Sequence, residues 1–313
     1  MNPSDRRGVA QLAGLACLLA GLRAVAAGEG EPVQTPQWTQ VPADTLLVKG
    51  AWSSASDSTT PVPEGGTVGP EVYSNEYFGL TYPLPANWTE PYSGPPPSDS
   101  GYYYLAQLSP EAVDSRTRRG TVLIAAHDLF FTPTPVGSAL QMVAHARDSL
   151  SGDYRIEEAP AVVRIRDRLF VRFAYSSPGT GLHWYVLATE IRCHSVQFIY
   201  TSGDSALIRK LVRDFSRIAI QGSPVPVCLR DYAGGSNVLQ RVEPVLIEHR
   251  LNPIPVRIII DREGKVRHLH FLSAFPSEAK SITDALLQWR FKPYLLDGRP
   301  VEVETGLVFG RRE

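Results

Sequence analysis

Cysteine is scarce in this chain. Three residues, Cys17, Cys193 and Cys228, among 313 are too few for a disulfide-dense mini-scaffold or a zinc ribbon built on cysteine. Neither sign of charge predominates. The 31 basic and 32 acidic residues leave a formal net charge of -1, so the basic surplus on which nucleic-acid binding rests is missing. The apolar run near the N-terminus, Gly8 to Leu22, has 15 residues, short of the roughly 20 that span a bilayer as a helix. Catalytic signatures are lacking as well: there is no G-x-S-x-G elbow, H-E-x-x-H, phosphate loop or G-x-G-x-x-G. Core-forming residues are plentiful by contrast. Hydrophobic positions make up 43% of the chain, too many for a wholly disordered protein, and the length suits one large domain or two ordinary ones.

Arg6 and Arg7 precede the apolar run, Arg23 closes it, and Ala24-Val25-Ala26-Ala27 offers small residues to signal peptidase. Residues 1–27 are therefore expected to be a secretory signal peptide. An uncleaved, single N-terminal anchor in the inner membrane is the alternative. Cleavage after Ala27 would leave 28 basic and 31 acidic residues, a net -3, and two thiols, Cys193 and Cys228. In an oxidising compartment this pair is a candidate disulfide; two buried free thiols are the other reading. Residues 28–71 are rich in Pro, Ser, Thr, Gly and Glu without periodicity, which predicts a flexible leader. Gln221-Gly222-Ser223-Pro224-Val225-Pro226 marks a joint between a domain over 72–222 and another over 223–313.

In the first domain, Tyr77 to Tyr82 is an opening strand ended by Pro83 and Pro85. Strand-like runs follow at Tyr102–Leu108, Thr121–Leu129, Ala161–Ile165, Leu169–Tyr175, His183–Ile191 and Ser195–Tyr200, rich in β-branched and aromatic residues. Ser138 and Asp204 are N-caps for two amphipathic helices. The order predicts an α+β sandwich of antiparallel strands. Phe78-Gly79-Leu80-Thr81-Tyr82-Pro83 with Asn87-Trp88, together with the closing strand and helix, resembles the PsbP-like family of α/β/α sandwiches over Tyr73–Ile220. That family has no shared active site to carry over.

The last stretch is more specific. Val256-Arg257-Ile258-Ile259-Ile260 reads as a strand, Asp261 to Lys265 as a hairpin turn with Gly264 free to take positive φ, and Val266–Leu272 as the returning strand. Ser277 caps a helix whose Ala279, Ile282, Leu286 and Trp289 share one face. Asp297-Gly298 turns the chain into a last strand, Val301–Phe309, completing a small ββαβ unit. Ile260-Asp261, Gly264-Lys265-Val266, Ala285, Trp289-Arg290-Phe291-Lys292-Pro293 and Gly298-Arg299-Pro300-Val301 resemble the TonB C-terminal domain over Val242–Phe309. Glu243-Pro244 and Asn252-Pro253 depart from that family's start, where a Tyr-Pro pair and a Gly are usual.

The resemblance implies a function. In that family an unpaired edge strand completes its backbone hydrogen bonds with a short segment of an outer-membrane transporter, the TonB box. Carried over, the edge is Val301, Glu302, Val303, Glu304, Thr305, Leu307 and Phe309; it would otherwise be covered by the neighbouring domain or a dimer mate. The chain is expected to be a non-enzymatic adaptor of the periplasm or cell envelope. Its partner would be an envelope protein, with a TonB-box-bearing transporter as one candidate, and neither nucleic acid nor cofactor is expected. Membrane contact requires an uncleaved N-terminus, in which case the chain would be a TonB-type energy transducer. No metal or catalytic site is expected either. His268 and His270 share a strand face but make only two ligands, so an exposed hairpin face is predicted. Cys193 and His194, being adjacent on a strand, point to opposite faces.

Overall fold

The computed structural model describes residues 45–47, 55–57, 61–92, 94, 98, 100–111, 120–132, 137–221, 226–246, 253–274 and 276–310. Strands β1 (Thr45–Leu47) and β2 (Ala55–Asp57) pair antiparallel. A small meander follows in β3 (Thr67–Val68), β4 (Val72–Asn75) and β5 (Leu80–Pro83). The larger sheet takes β6 (Trp88–Tyr92), β7 (Tyr102–Pro110) and β8 (Gly120–Asp128). After helix α1 (Ala139–Asp148) it adds β9 (Arg155–Ile165), β10 (Arg168–Ser177), β11 (Leu182–Ile191) and β12 (His194–Ser202). Helix α2 (Ser205–Asp214) and β13 (Ala219–Ile220), which pairs with β5, complete this unit. The seven strands run in the order β6-β7-β8-β12-β11-β10-β9, each antiparallel to its neighbours.

Side-chain alternation decides which layer each residue meets. Along β12, Val196, Phe198 and Tyr200 pack toward α2 and the meander, whereas Ile199 packs toward α1. Along β8, Val122, Ile124 and Ala126 face the first layer and Leu123 and Ala125 the second. Both faces are covered, so these strands read as continuous apolar runs. The helices begin where their caps require. The Ser138 hydroxyl accepts from the N–H of Gln141, and the Asp204 carboxylate from those of Ala206 and Leu207. The unit is thus mostly sheet with few helices, an α+β architecture.

The rest of the chain supplies β14 (Val227–Cys228), β15 (Val238–Gln240), β16 (Ile254–Ile260), β17 (Val266–Phe271) and α3 (Pro276–Leu286). It ends in β18 (Arg290–Phe291), β19 (Tyr294–Leu296), β20 (Arg299–Val301) and β21 (Val303–Phe309). The sheet order is β1-β2-β17-β16-β21-β14, with β14 parallel to β21. Ala279, Ile282 and Leu286 of α3 pack on Val256, Ile258, Ile260 and Val303. Helix α3 stops three residues before Trp289, whose indole nonetheless lies in this core and donates to the Val242 carbonyl at 2.8 Å.

At the β16–β17 turn the Asp261 carboxylate accepts from the N–H groups of Glu263 and Lys265 at 3.0 and 2.8 Å. Gly264 takes φ +80, and a Cβ there would lie 2.0 Å from the Phe291 carbonyl oxygen. Gly264→Ala is therefore expected to lower the unfolding free energy by about 1–3 kcal/mol. Chemical denaturation checks this, and an unchanged midpoint would mean that the turn relaxes freely.

Three expectations need correction. The leader over 28–71 is not wholly a flexible lead-in: β2 pairs with the outer edge of β17 through Ser56 and Ala55, and Val62 and Glu64 are buried. Composition misses this because the pairing of β2 uses backbone groups, and the buried side chains Val62 and Glu64 form no apolar period. The strand over Val301–Phe309 is not a free edge along its length. Val301 belongs to the β19–β20 hairpin, and β14 covers Val303 and Glu304 on the side away from β16. His268 and His270 are not exposed; they are 3% and 2% accessible because their face of β17 packs on the first unit. The expected signal peptide or anchor, 1–27, lies outside the described residues. Among the described residues no helix is long and apolar enough to cross a membrane.

Candidate functional site

Each strand of the second sheet has two faces, and the one opposite α3 meets the first unit. Register puts Arg257 beside Gly306 and His270, and Ile259 beside Glu304 and His268, so these residues share that face. Arg257 is the centre of the contact. Its guanidinium pairs with Asp128 at the end of β8 and with Glu304 at 3.0 Å, and donates to the Arg192 carbonyl at 3.2 Å. It also lies 4.6 Å from the centre of the Phe130 ring. Asp128 accepts from the Phe130 N–H at 2.7 Å; Glu304 accepts from the Tyr77 hydroxyl at 2.7 Å and stands 3.6 Å from the Arg192 guanidinium. Arg192 in turn stacks on the Tyr77 ring at 3.9 Å.

Two imidazoles border this cluster. His194 holds the Arg192 carbonyl at 2.6 Å through Nδ1 and lies 3.6 Å from Asp128 through Nε2. His270 lies 3.2 Å from Glu64, and the Tyr103 ring stands between the two imidazoles, with centroids 5.4 and 6.3 Å away. Gly306 permits the close approach, since a Cβ there would lie 2.9 Å from the Phe131 ring.

Cys193 and Cys228 are brought together here as a disulfide with Cα atoms 5.7 Å apart. Cys193 sits in the β11–β12 turn, where Arg192 and Cys193 take φ +47 and +60, and Cys228 lies on β14. The bridge therefore ties the first unit to the strand that covers β21. Of the seven edge residues named from sequence, Glu304 belongs to the ion cluster and Thr305 donates to the Arg230 carbonyl at 3.1 Å. Glu302 pairs with Arg267 on an exposed face at 2.5 Å, while Val303, Leu307 and Phe309 pack toward the α3 core. Cys193, Cys228 and Glu304 have metal-like spacing, but sulfurs joined in a disulfide offer no thiolate ligands.

Sequence reading passed over Arg257, Asp128, Arg192 and Tyr77. One signal was legible: Arg257 interrupts the otherwise apolar Val256-Arg257-Ile258-Ile259-Ile260, and a fully buried strand tolerates such a charge only when it is paired. Its partners are 129 and 47 residues distant in sequence, and no spacing pattern reveals them.

Burial opposes charge throughout the cluster, and pairing decides the outcome. Burial works against the Arg257 charge, yet Asp128, Tyr77 and Glu304 hold its pKa above the ordinary value. Burial pushes the Glu304 carboxyl up, but Arg257 and Arg192 together hold it below the usual carboxylate range. At Asp128 burial prevails over Arg257 and the carboxyl is raised. Burial, then the charge of Arg257, keeps His194 well below the usual imidazole value. The arrangement is a buried ionic clamp between the units, with the disulfide at its rim.

Mild acid is expected to weaken this protein. Burial lowers His127 to about 4, and His194 is depressed likewise. Both groups bind protons more weakly folded than unfolded. Their contribution is thus complete above the unfolded pKa and lost as pH falls through about 6.5 toward 4. Glu304 acts in the same sense at lower pH, and Asp128 in the opposite one. Two imidazoles imply a slope of about 2–3 kcal/mol per pH unit near pH 5. Urea midpoints between pH 7 and 5 test this: His127→Gln should roughly halve the slope, and a flat wild-type profile would exclude it.

No protein-family model and no curated protein matches the chain. Among solved structures it is similar to cyanobacterial PsbP (CyanoP) from Synechocystis sp. PCC 6803, with 14% identity, 50% of this chain and 96% of that chain covered, and a TM-score of 0.35. It is also similar to a protein of Bacteroides thetaiotaomicron, with 11% identity, 58% and 51% of the two chains covered, and a TM-score of 0.28. These likenesses concern the fold alone.

Proposed function

We propose that the protein is an exported, non-enzymatic adaptor of the bacterial cell envelope that binds an extended segment of another envelope protein along β21. The resemblance of Val242–Phe309 to the TonB C-terminal domain motivates this reading, and an outer-membrane transporter with a TonB-box-like segment is the partner class it suggests. The observation that carries it is the half-covered edge. The carbonyls of Glu302 and Glu304 accept from the N–H groups of Val227 and Leu229, which directs the backbone groups of 302, 304, 306 and 308 outward. Beyond Glu304 no strand pairs on that side among the described residues, and Val308 is 40% exposed. An extended peptide finds there the N–H and C=O groups that strand addition uses.

The test uses native protein from its own cells. A photo-crosslinker at Val308 should couple to one defined segment of one envelope protein, and a synthetic peptide of that segment should then bind the purified chain. A mature N-terminus near Gly28 in the periplasmic fraction is expected with it. Absence of any segment that binds as a peptide would defeat the reading, and an intact N-terminus in the inner membrane would replace the adaptor by an anchored transducer.

A further inference from the structure

We propose that the Cys193–Cys228 disulfide is a thiol-controlled latch that holds β14 over the binding edge, so that reduction opens a longer docking surface for an extended partner segment. This deepens the strand-addition reading above and rests on it.

The open part of β21 is short. With β14 in place, Gly306 and Val308 turn backbone groups outward to a side where no strand pairs among the described residues; with β14 gone, Glu302 and Glu304 join them. Four outward residues alternate with three inward ones over a seven-residue stretch, the length of an ordinary strand. The covering strand is minimal. It is two residues long, its backbone ladder is short and includes the bonds from Val227 and Leu229 to Glu302 and Glu304, and Thr305 adds one side-chain bond to Arg230. The covalent tie to Cys193 on the first unit is its strongest restraint.

The tie is also reachable. Cys193 is buried at 7%, whereas Cys228 is exposed. A dithiol reductant, by chemical class a Cys-x-x-Cys oxidoreductase or dithiothreitol, attacks with its thiolate at the Cys228 sulfur. The S–S bond breaks and Cys193 leaves as a thiolate that takes a proton from water. The reductant's second thiolate then attacks its own sulfur in the mixed disulfide. Cys228 is released as a thiol and the reductant ends as a disulfide, two electrons poorer.

The segment β14 now occupies shows what the surface accepts. Leu229, two residues beyond Val227, packs against the α3 core, whereas Cys228 between them faces the first unit. The occupant is thus an extended partner segment with apolar side chains at every second position.

The probe is a fluorescein-labelled octapeptide of alternating valine and threonine, titrated into the full mature chain. Dithiothreitol-treated protein, and the folded C193S/C228S variant, should bind it at least tenfold more tightly than oxidised protein. The amides of Val227 and Leu229 should exchange hydrogen at least tenfold faster. Val308→Pro, which removes an outward N–H without breaking a ladder bond, should abolish the gain. Unchanged exchange on reduction overturns the latch whatever the peptide does. Faster exchange with no gain in binding, or a gain that survives Val308→Pro, overturns the proposal through the strand-addition reading beneath it.

Discussion

Replacing Arg257 with methionine is expected to lower the unfolding free energy by about 3–5 kcal/mol. The side chain is 2% exposed, and its removal leaves Asp128 and Glu304 buried without their shared counter-charge. Arg192 still faces Glu304 at 3.6 Å, so Asp128 carries most of the loss. The triple variant R257M/D128N/E304Q is expected to recover much of the stability, because neutral groups need only hydrogen bonds where charges need partners. Urea denaturation followed by far-UV circular dichroism measures both. Wild-type stability in the single variant would show that the ionic clamp contributes nothing, and a triple variant no better than the single would point to packing of the arginine stem.

Loss of the disulfide is the second large effect. Cys193 and Cys228 are 35 residues apart in sequence, and the entropy of closing such a loop in the unfolded chain corresponds to about 4 kcal/mol. C193S/C228S is thus expected to unfold at a lower urea concentration than the oxidised protein. Reduced wild type should match the variant. If the variant and the oxidised protein share one midpoint, the bridge constrains nothing that the ion cluster does not already hold. The comparison also separates stability from binding: a latch predicts tighter peptide binding in the form that is less stable overall.

Local chemistry made much of the fold legible. Ser138 and Asp204 cap helices where a small oxygen-bearing side chain precedes an apolar period. Asp261 and Gly264, and Asp297 and Gly298, form turns because the glycines, and Asp297 with them, accept positive φ. The apolar runs of β8, β11 and β12 are strands buried on both faces. The candidate site was legible in fragments only. Cys193 and Cys228 were an evident pair by count, and Arg257 was conspicuous inside an apolar strand, but its partners were not.

The same limit explains the corrections. His268 and His270 looked like a solvent face because alternation says which residues share a side of a strand and never what covers that side. Ala55–Asp57 looked like leader because a strand added at an edge needs backbone groups, which every sequence has. The covering of Glu304 by Cys228 depends on a parallel pairing between segments some 75 residues apart, which neither segment encodes alone.

The sequence by itself determined the caps at Ser138 and Asp204, the Asp-Gly turns and the long apolar strands, since these follow from side-chain size, periodicity and backbone freedom within a few residues. Only the tertiary structure decided that the Arg257 face of the second sheet meets the first unit, that Cys193 reaches Cys228, and that half of β21 is covered. Those outcomes depend on which surfaces meet, and burying a charge or pairing an edge is favourable only when a distant part of the chain supplies the partner.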